Sequence, residues 1–117
     1  MKPIFGRNGT TLAWLEGNNI HRFDGSHVAF LRHSELYNLR GKYLGSFTDG
    51  LFRDARGGIV AFIDGGYRGP YLPALTASPP APELSVSALP DISLVSRNAV
   101  SPLSKWSHIT WRHFAET

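Results

Sequence analysis

IHRFDGSHVAFLRHSE, residues 20–35, is one of four successive copies of a sixteen-residue unit. IFGRNGTTLAWLEGNN (4–19) precedes it, LYNLRGKYLGSFTDGL (36–51) and FRDARGGIVAFIDGGY (52–67) follow, and Gly9, Gly25, Gly41 and Gly57 mark one place in each. Five residues before each glycine stands a large apolar residue (Ile4, Ile20, Leu36, Phe52), and three after it another (Leu12, Val28, Leu44, Val60). The next position is always small (Ala13, Ala29, Gly45, Ala61), and two further on come Leu15, Leu31, Phe47 and Ile63. Alternation with period two is the pattern of a strand. One face of each second strand therefore carries the small/large row, and the other the Leu/Val row with Trp14, Phe30, Ser46 and Phe62.

Between the two strands of each copy lie Asn8-Gly9, Asp24-Gly25, Arg40-Gly41 and Arg56-Gly57. Asn-Gly and Asp-Gly predict two-residue hairpin turns, which need positive φ; Arg-Gly carries less of that signal. A second set of turns, at 16–19, 32–35, 48–50 and 64–66, joins each copy to the next. Eight short strands follow.

A single hairpin of this length has too little core to stand alone, so the copies must bury their apolar surface against one another. The invariably small position suggests close approach of the strands around a common axis. The predicted fold is all-β, with four hairpin repeats in a pseudo-fourfold closed arrangement. The hairpin unit with its xG turn, the [LV]-[AG]-x-[LFI] second strand, and a Pro/Ser-rich tail ending in a Trp-containing motif resemble the four-fold β-flower family of bacterial proteins. That resemblance covers roughly residues 1–75 and, loosely, the last twelve. It implies a fold and no activity, because the recurring positions are turn and core positions.

The chain has 117 residues, 42% of them hydrophobic, and divides into a four-hairpin domain (1–69), a Pro/Ser-rich linker (70–105) and a C-terminal aromatic docking segment (106–117). Seven of the eight prolines lie from Pro70 onward, the composition of an extended, partly polyproline-like stretch. Leu84 to Leu89 alternates weakly and is a candidate edge strand. A repeat domain this small is marginal by itself, and without cysteine no disulfide helps it. No apolar run approaches membrane length, and Met1 to Phe5 leads directly into the first repeat, so the reading is a cytoplasmic protein without a membrane partner.

No catalytic constellation is present: the nine acidic residues are scattered, mainly through turns, and no nucleophile elbow or phosphate loop appears. A two-residue turn would set His21 opposite Val28 and His27 opposite Arg22, with the imidazoles on opposite faces; with His33 in the next turn, no metal site is expected. No cofactor is expected either. Charge is more telling. The net charge is +3, and the hairpin-turn windows carry Arg7, Arg22, Arg40, Lys42 and Arg56 against Asp24 and Asp54. The opposite turns carry Glu16, Glu35, Asp49 and Asp64 against Arg32. Arg7, Arg40, Lys42 and Arg56 are thus candidate contacts for a small anionic ligand. Nucleic acid is disfavoured, because the aromatics occupy core positions and form no exposed stacking platform.

With both faces of the second strands apolar, something must cover the surplus. Trp106, Ile109, Trp111 and Phe114 are the remaining large apolar cluster. Thr110 is a suitable N-cap for a short helix with Trp111 and Phe114 on one side, although His113 replaces the acid that would complete a capping box. The chain reads as a non-catalytic interaction or structural module whose tail docks in cis, on a second copy or on a protein partner; the alternative is a receptor for a small anion at the basic end.

Overall fold

The computed structural model describes residues 1–92 and 102–116, and within them the eight strands close into one antiparallel barrel in chain order. The strands are β1 (Lys2–Phe5), β2 (Thr11–Glu16), β3 (Asn19–Arg22), β4 (His27–Arg32), β5 (Glu35–Asn38), β6 (Tyr43–Thr48), β7 (Leu51–Asp54) and β8 (Ile59–Phe62). Closure is by the pair Phe5↔Phe62 between β1 and β8. The part of the linker at 93–101 and the last residue, 117, lie outside the described residues.

The interior follows from the small/large rule. Ile4 pairs with Ala13, Ile20 with Ala29, Leu36 with Gly45 and Phe52 with Ala61. Leu15, Leu31 and Phe47 then face Ile20, Leu36 and Phe52 in the neighbouring repeat. An eight-stranded barrel has an interior just wide enough for side chains to fill, so a ring of four large residues leaves room only for small partners. Approach is closest at Gly45, where a Cβ would stand 1.9 Å from the carbonyl oxygen of Arg53.

The hairpin turns differ from the expected two-residue form. In the second repeat the Gly25 N–H donates to the Arg22 carbonyl (2.9 Å) and the Arg22 N–H to the Ser26 carbonyl (2.8 Å), and the same pair of bonds recurs in the other three. These are three-residue loops in which only the glycine has positive φ (81° at Gly9, 97° at Gly25). The residue before the glycine keeps an ordinary φ, which is why arginine serves at 40 and 56 as well as Asn8 and Asp24 do. One Asx side chain secures every turn. Asn8 and Asp24 accept from the backbone of Thr10 and Ser26, whereas Asn38 and Asp54 do so from two positions earlier, accepting from Arg40 and Lys42 and from Arg56 and Gly58. The turns between repeats are the two-residue ones, as at His33 and Ser34 (φ 52° and 66°).

Each hairpin also has a bulge one residue before its small position, skipping Leu12, Val28, Leu44 and Val60 in the pairing. This corrects the facial assignment. The Leu/Val row does not share the outer face with Trp14 and Phe30; it joins the interior cluster with Ile4, Ile20, Leu36 and Phe52. A second cluster of Phe5, Leu51, Ile59 and Phe62 is covered by Leu72 and Trp106 of the tail.

From Ala74 on, the tail passes the turn glycines in order. The Thr76 N–H donates to the Gly9 carbonyl (3.0 Å), Ser85, nine residues later, to Gly25 (3.1 Å), and Leu103, two such steps on, to Gly57 (3.1 Å); Pro90, Asp91 and Ile92 lie beside Gly41. No strand forms over residues 84–89; this stretch crosses the second turn, where Ser85 bonds the Gly25 carbonyl. Residues 105–107 then lie parallel to the start of β8, the Ile59 N–H donating to the Lys105 carbonyl (3.0 Å) and the Ser107 N–H to the Ile59 carbonyl (2.7 Å). The chain ends in α1 (Trp111–Ala115), whose N-cap Thr110 accepts the His113 N–H through Oγ1 at 3.3 Å.

Candidate functional site

The end of the barrel that carries the three-residue turns is where the sequence concentrates its cations and where the tail helix lies. Trp111 (5% exposed), Phe114 (6%) and Ala115 are buried in the cluster that holds the barrel interior and the bulge residues. Trp111 meets Phe52 edge-on with ring centroids 5.5 Å apart, and Glu116 reaches Arg22 on the rim at 3.1 Å. Trp106 is half-buried against Phe62 (6.1 Å), with the Arg7 guanidinium 5.7 Å from its ring centre. Ile109 is 38% exposed and contributes little to this packing.

Arg7, Arg40, Lys42 and Arg56 are all exposed, but the helix divides their neighbourhood. Arg7 lines a groove beside the tail, Arg40 a smaller hollow with Arg22, His27 and Glu116, and Arg56 a third with Lys105 and His108. Lys42 lines none of these three. The four cations therefore do not converge on one cavity.

The bulge at Val28 brings His21 directly opposite His27, which corrects their assignment to opposite faces. The rings stack at 5.2 Å and both are buried. His21 Nδ1 donates to the Gly25 carbonyl (3.1 Å), the same oxygen that accepts from Ser85. His27 Nε2 donates to the Ala29 carbonyl (3.0 Å), and its Nδ1 accepts the Ser87 N–H of the tail (3.0 Å). Both ring nitrogens of His27 are thus committed in the neutral form. Burial, helped by the neighbouring His21, holds its pKa below the ordinary histidine value, although the bond to Ala29 works the other way. Among the described residues no three metal-ligating side chains converge.

Arg53 occupies in the fourth repeat the place of His21 in the second. Its Nη1 donates to the carbonyls of Gly57 (2.6 Å) and Leu103 (2.8 Å) and its Nη2 to that of Arg68 (3.1 Å). Burial lowers its pKa, with Asp49 opposing. Beside it, Ser107 Oγ donates to Asp54 Oδ2. This serine and acid form a structural clasp: Asp54 Oδ1 is occupied by the turn amides, and Ser107 Oγ also accepts the Ile109 N–H at 3.0 Å. None of His21, Arg53, Asn38 or Asp54 stands out in the sequence as a partner of the tail or turn. Their one signal is position, each being a polar residue where an equivalent repeat carries an apolar or a different one.

The seam between β1 and β8 has a single residue pair, against four in each of the junctions β2–β3, β4–β5 and β6–β7. Beside it opens a groove of about 640 Å³ lined by the first turn (Gly6, Arg7, Asn8, Thr10), Leu12, Ile59 and Val60, and by the tail from Trp106 to Arg112 together with Glu116. No helix among the described residues is long and apolar enough to cross a membrane.

Neither the curated proteins nor the solved structures contain a match to this chain. The profile of the 4-fold beta flower proteins matches residues 2–115, spanning both the barrel and the tail that belts it. The fourfold hairpin barrel and this match together place the chain in the 4-fold beta flower protein family.

Proposed function

We propose that the chain is a non-catalytic interaction and structural module whose C-terminal tail docks in cis, belting the barrel and plugging its basic end. The observation that carries this reading is the burial of Trp111 and Phe114 within the barrel's own apolar cluster. A barrel of four short hairpins leaves the bulge row Leu12, Val28, Leu44 and Val60 at its mouth, and the helix supplies the apolar surface that this row needs. The belt adds backbone hydrogen bonds at Gly9, Gly25 and Gly57, joined at the second and fourth turns by bonds to the side chains of His27 and Arg53.

Truncation after Pro102 tests this. It should lower stability in urea by several kcal/mol, since removal of Trp111 alone forfeits about 3 kcal/mol of burial, or raise the particle mass in light scattering as the open mouth finds a second copy. A truncated protein with unchanged stability and mass would make the tail a free recognition segment for another protein, and the docking reading would be wrong.

A further inference from the structure

The groove at the β1–β8 seam is the place where the fourfold pattern is interrupted. Elsewhere the chain passes from one repeat to the next through four paired residues. Here β1 and β8 share one pair, and residues 105–107 of the tail take up the start of β8. The space left between the first turn and the tail has apolar walls in Leu12, Trp106 and Ile109, which are half-buried or exposed, above the buried Ile59 and Val60. Its rim is cationic. Arg7 and Arg112 are exposed and have no carboxylate partner among the described residues, while Glu116, the one acid of the lining, is held by Arg22. Trp111 lines the same groove, and its buried indole N–H has no acceptor among the described residues. Two cations without a carboxylate partner suit an acceptor-only group, and the apolar walls suit a hydrocarbon or aromatic body.

We infer that this groove binds a small organic acid: a single carboxylate attached to an apolar body, the carboxylate between Arg7 and Arg112 and the body against Leu12, Trp106 and Ile109. A polyanion is a poorer fit, because the base of the groove is apolar. The site differs from a ring of turn cations, since Arg40, Lys42 and Arg56 take no part in it. It depends on the tail being seated, and so rests on the cis docking proposed above.

The test uses the full chain with octanoate and benzoate as probes, and with octanol, benzamide and inorganic phosphate as comparisons. The readout is the three tryptophan indole N–H resonances and a titration calorimeter. Saturable binding of the carboxylates is expected, at least about tenfold tighter than of the neutral analogues, with the Trp111 indole resonance moving more than that of Trp14. The pair Arg7→Gln and Arg112→Gln should weaken binding by about tenfold or more at an unchanged melting temperature, while Arg40→Gln leaves it intact. Absence of saturable carboxylate binding, equal binding of octanol, or phosphate binding as tightly as octanoate would overturn the proposal. So would an Arg40→Gln protein that loses as much as the double variant. The docking beneath it fails differently: a Trp111 indole that exchanges rapidly with solvent in the ligand-free chain would show an undocked tail before any acid is added.

Discussion

Alanine substitutions at the turn glycines separate the two demands placed on them. Gly17 and Gly25 both have positive φ (58° and 97°), but an added Cβ at Gly17 meets nothing within 4 Å, whereas at Gly25 it would lie 2.0 Å from the carbonyl oxygen of Glu83 in the belt. Gly17→Ala should therefore cost the left-handed backbone penalty alone, about 1 kcal/mol after the gain from a stiffer unfolded chain. Gly25→Ala carries the same penalty and also a clash with a backbone atom that no rotamer relieves. The belt must lift there, breaking the bonds from Ser85 to Gly25 and from Ser87 to His27, at about 1 kcal/mol each, for a total of about 3 kcal/mol. Gly9→Ala, with its Cβ 2.1 Å from the Ala74 oxygen, belongs with Gly25; Gly41→Ala, 3.3 Å from the Asp91 oxygen, falls between. At Gly69 the obstacle is a flexible leucine side chain, Leu51 at 2.8 Å, and φ is not positive, so alanine should matter less. Urea denaturation measures the differences, and amide exchange at Ser85 and Ser87 locates them. If Gly25→Ala cost no more than Gly17→Ala, with both belt amides still protected, the belt would not be seated on the turns and the reasoning would fail.

Stability should fall with pH through His27. Its folded pKa lies below the ordinary 6.5, so the unfolded chain takes up the proton first, and stability, complete above about 6.5, is lost as pH drops from there through the folded value. His27→Gln, neutral throughout and still able to accept from Ser87, should flatten the dependence between about pH 7.5 and 5; equal slopes in the two proteins would remove His27 from the account. Arg53→Met should cost on the order of 2–3 kcal/mol in urea, because the carbonyls of Gly57, Leu103 and Arg68 lose their shared donor, and a loss under about 0.5 kcal/mol would mean that water replaces the guanidinium without penalty. Trp111→Ala should cost about 3 kcal/mol or more by the same assay, and a near-neutral result would contradict its burial.

What could be read from the sequence was whatever repeats. The glycine spacing and the small/large row specify eight strands and a closed ring, since each recurs four times and a chance pattern does not. The turn class could not be read, because Asn-Gly serves both a two-residue turn with two positive φ values and a three-residue loop with one. That ambiguity of one residue, compounded by the bulge at Val28, reversed the relation of His21 to His27 and moved the Leu/Val row from the face of Trp14 and Phe30 to the core. The belt was hidden for a different reason. Its bonds to Gly9, Gly25 and Gly57 run through main-chain atoms, which leave no mark on side-chain choice beyond prolines that keep the segment extended. Only once the glycine contacts are known does the nine-residue step from Thr76 to Ser85 acquire meaning.

The departures from the repeat matter most for any role this protein has. One residue after Ile4, Ile20, Leu36 and Phe52 stand Phe5, His21, Tyr37 and Arg53. Identical repeats would give four equivalent places and no reason for the tail to bind in one register. As it stands, His21 shares the Gly25 carbonyl with Ser85, and Arg53 bonds both the Gly57 and Leu103 carbonyls, so the belt meets a different donor at the second turn and the fourth. Phe5, the counterpart in the first repeat, instead closes the barrel against Phe62, with ring centroids 5.8 Å apart and Trp106 covering the pair from outside. One structural position thus serves as a seam closure in the first repeat and as a tail anchor in the second and fourth. A tail that wraps in the direction of the chain must finish beside the seam, and its helix can then reach the mouth from the one junction where the strands leave a gap.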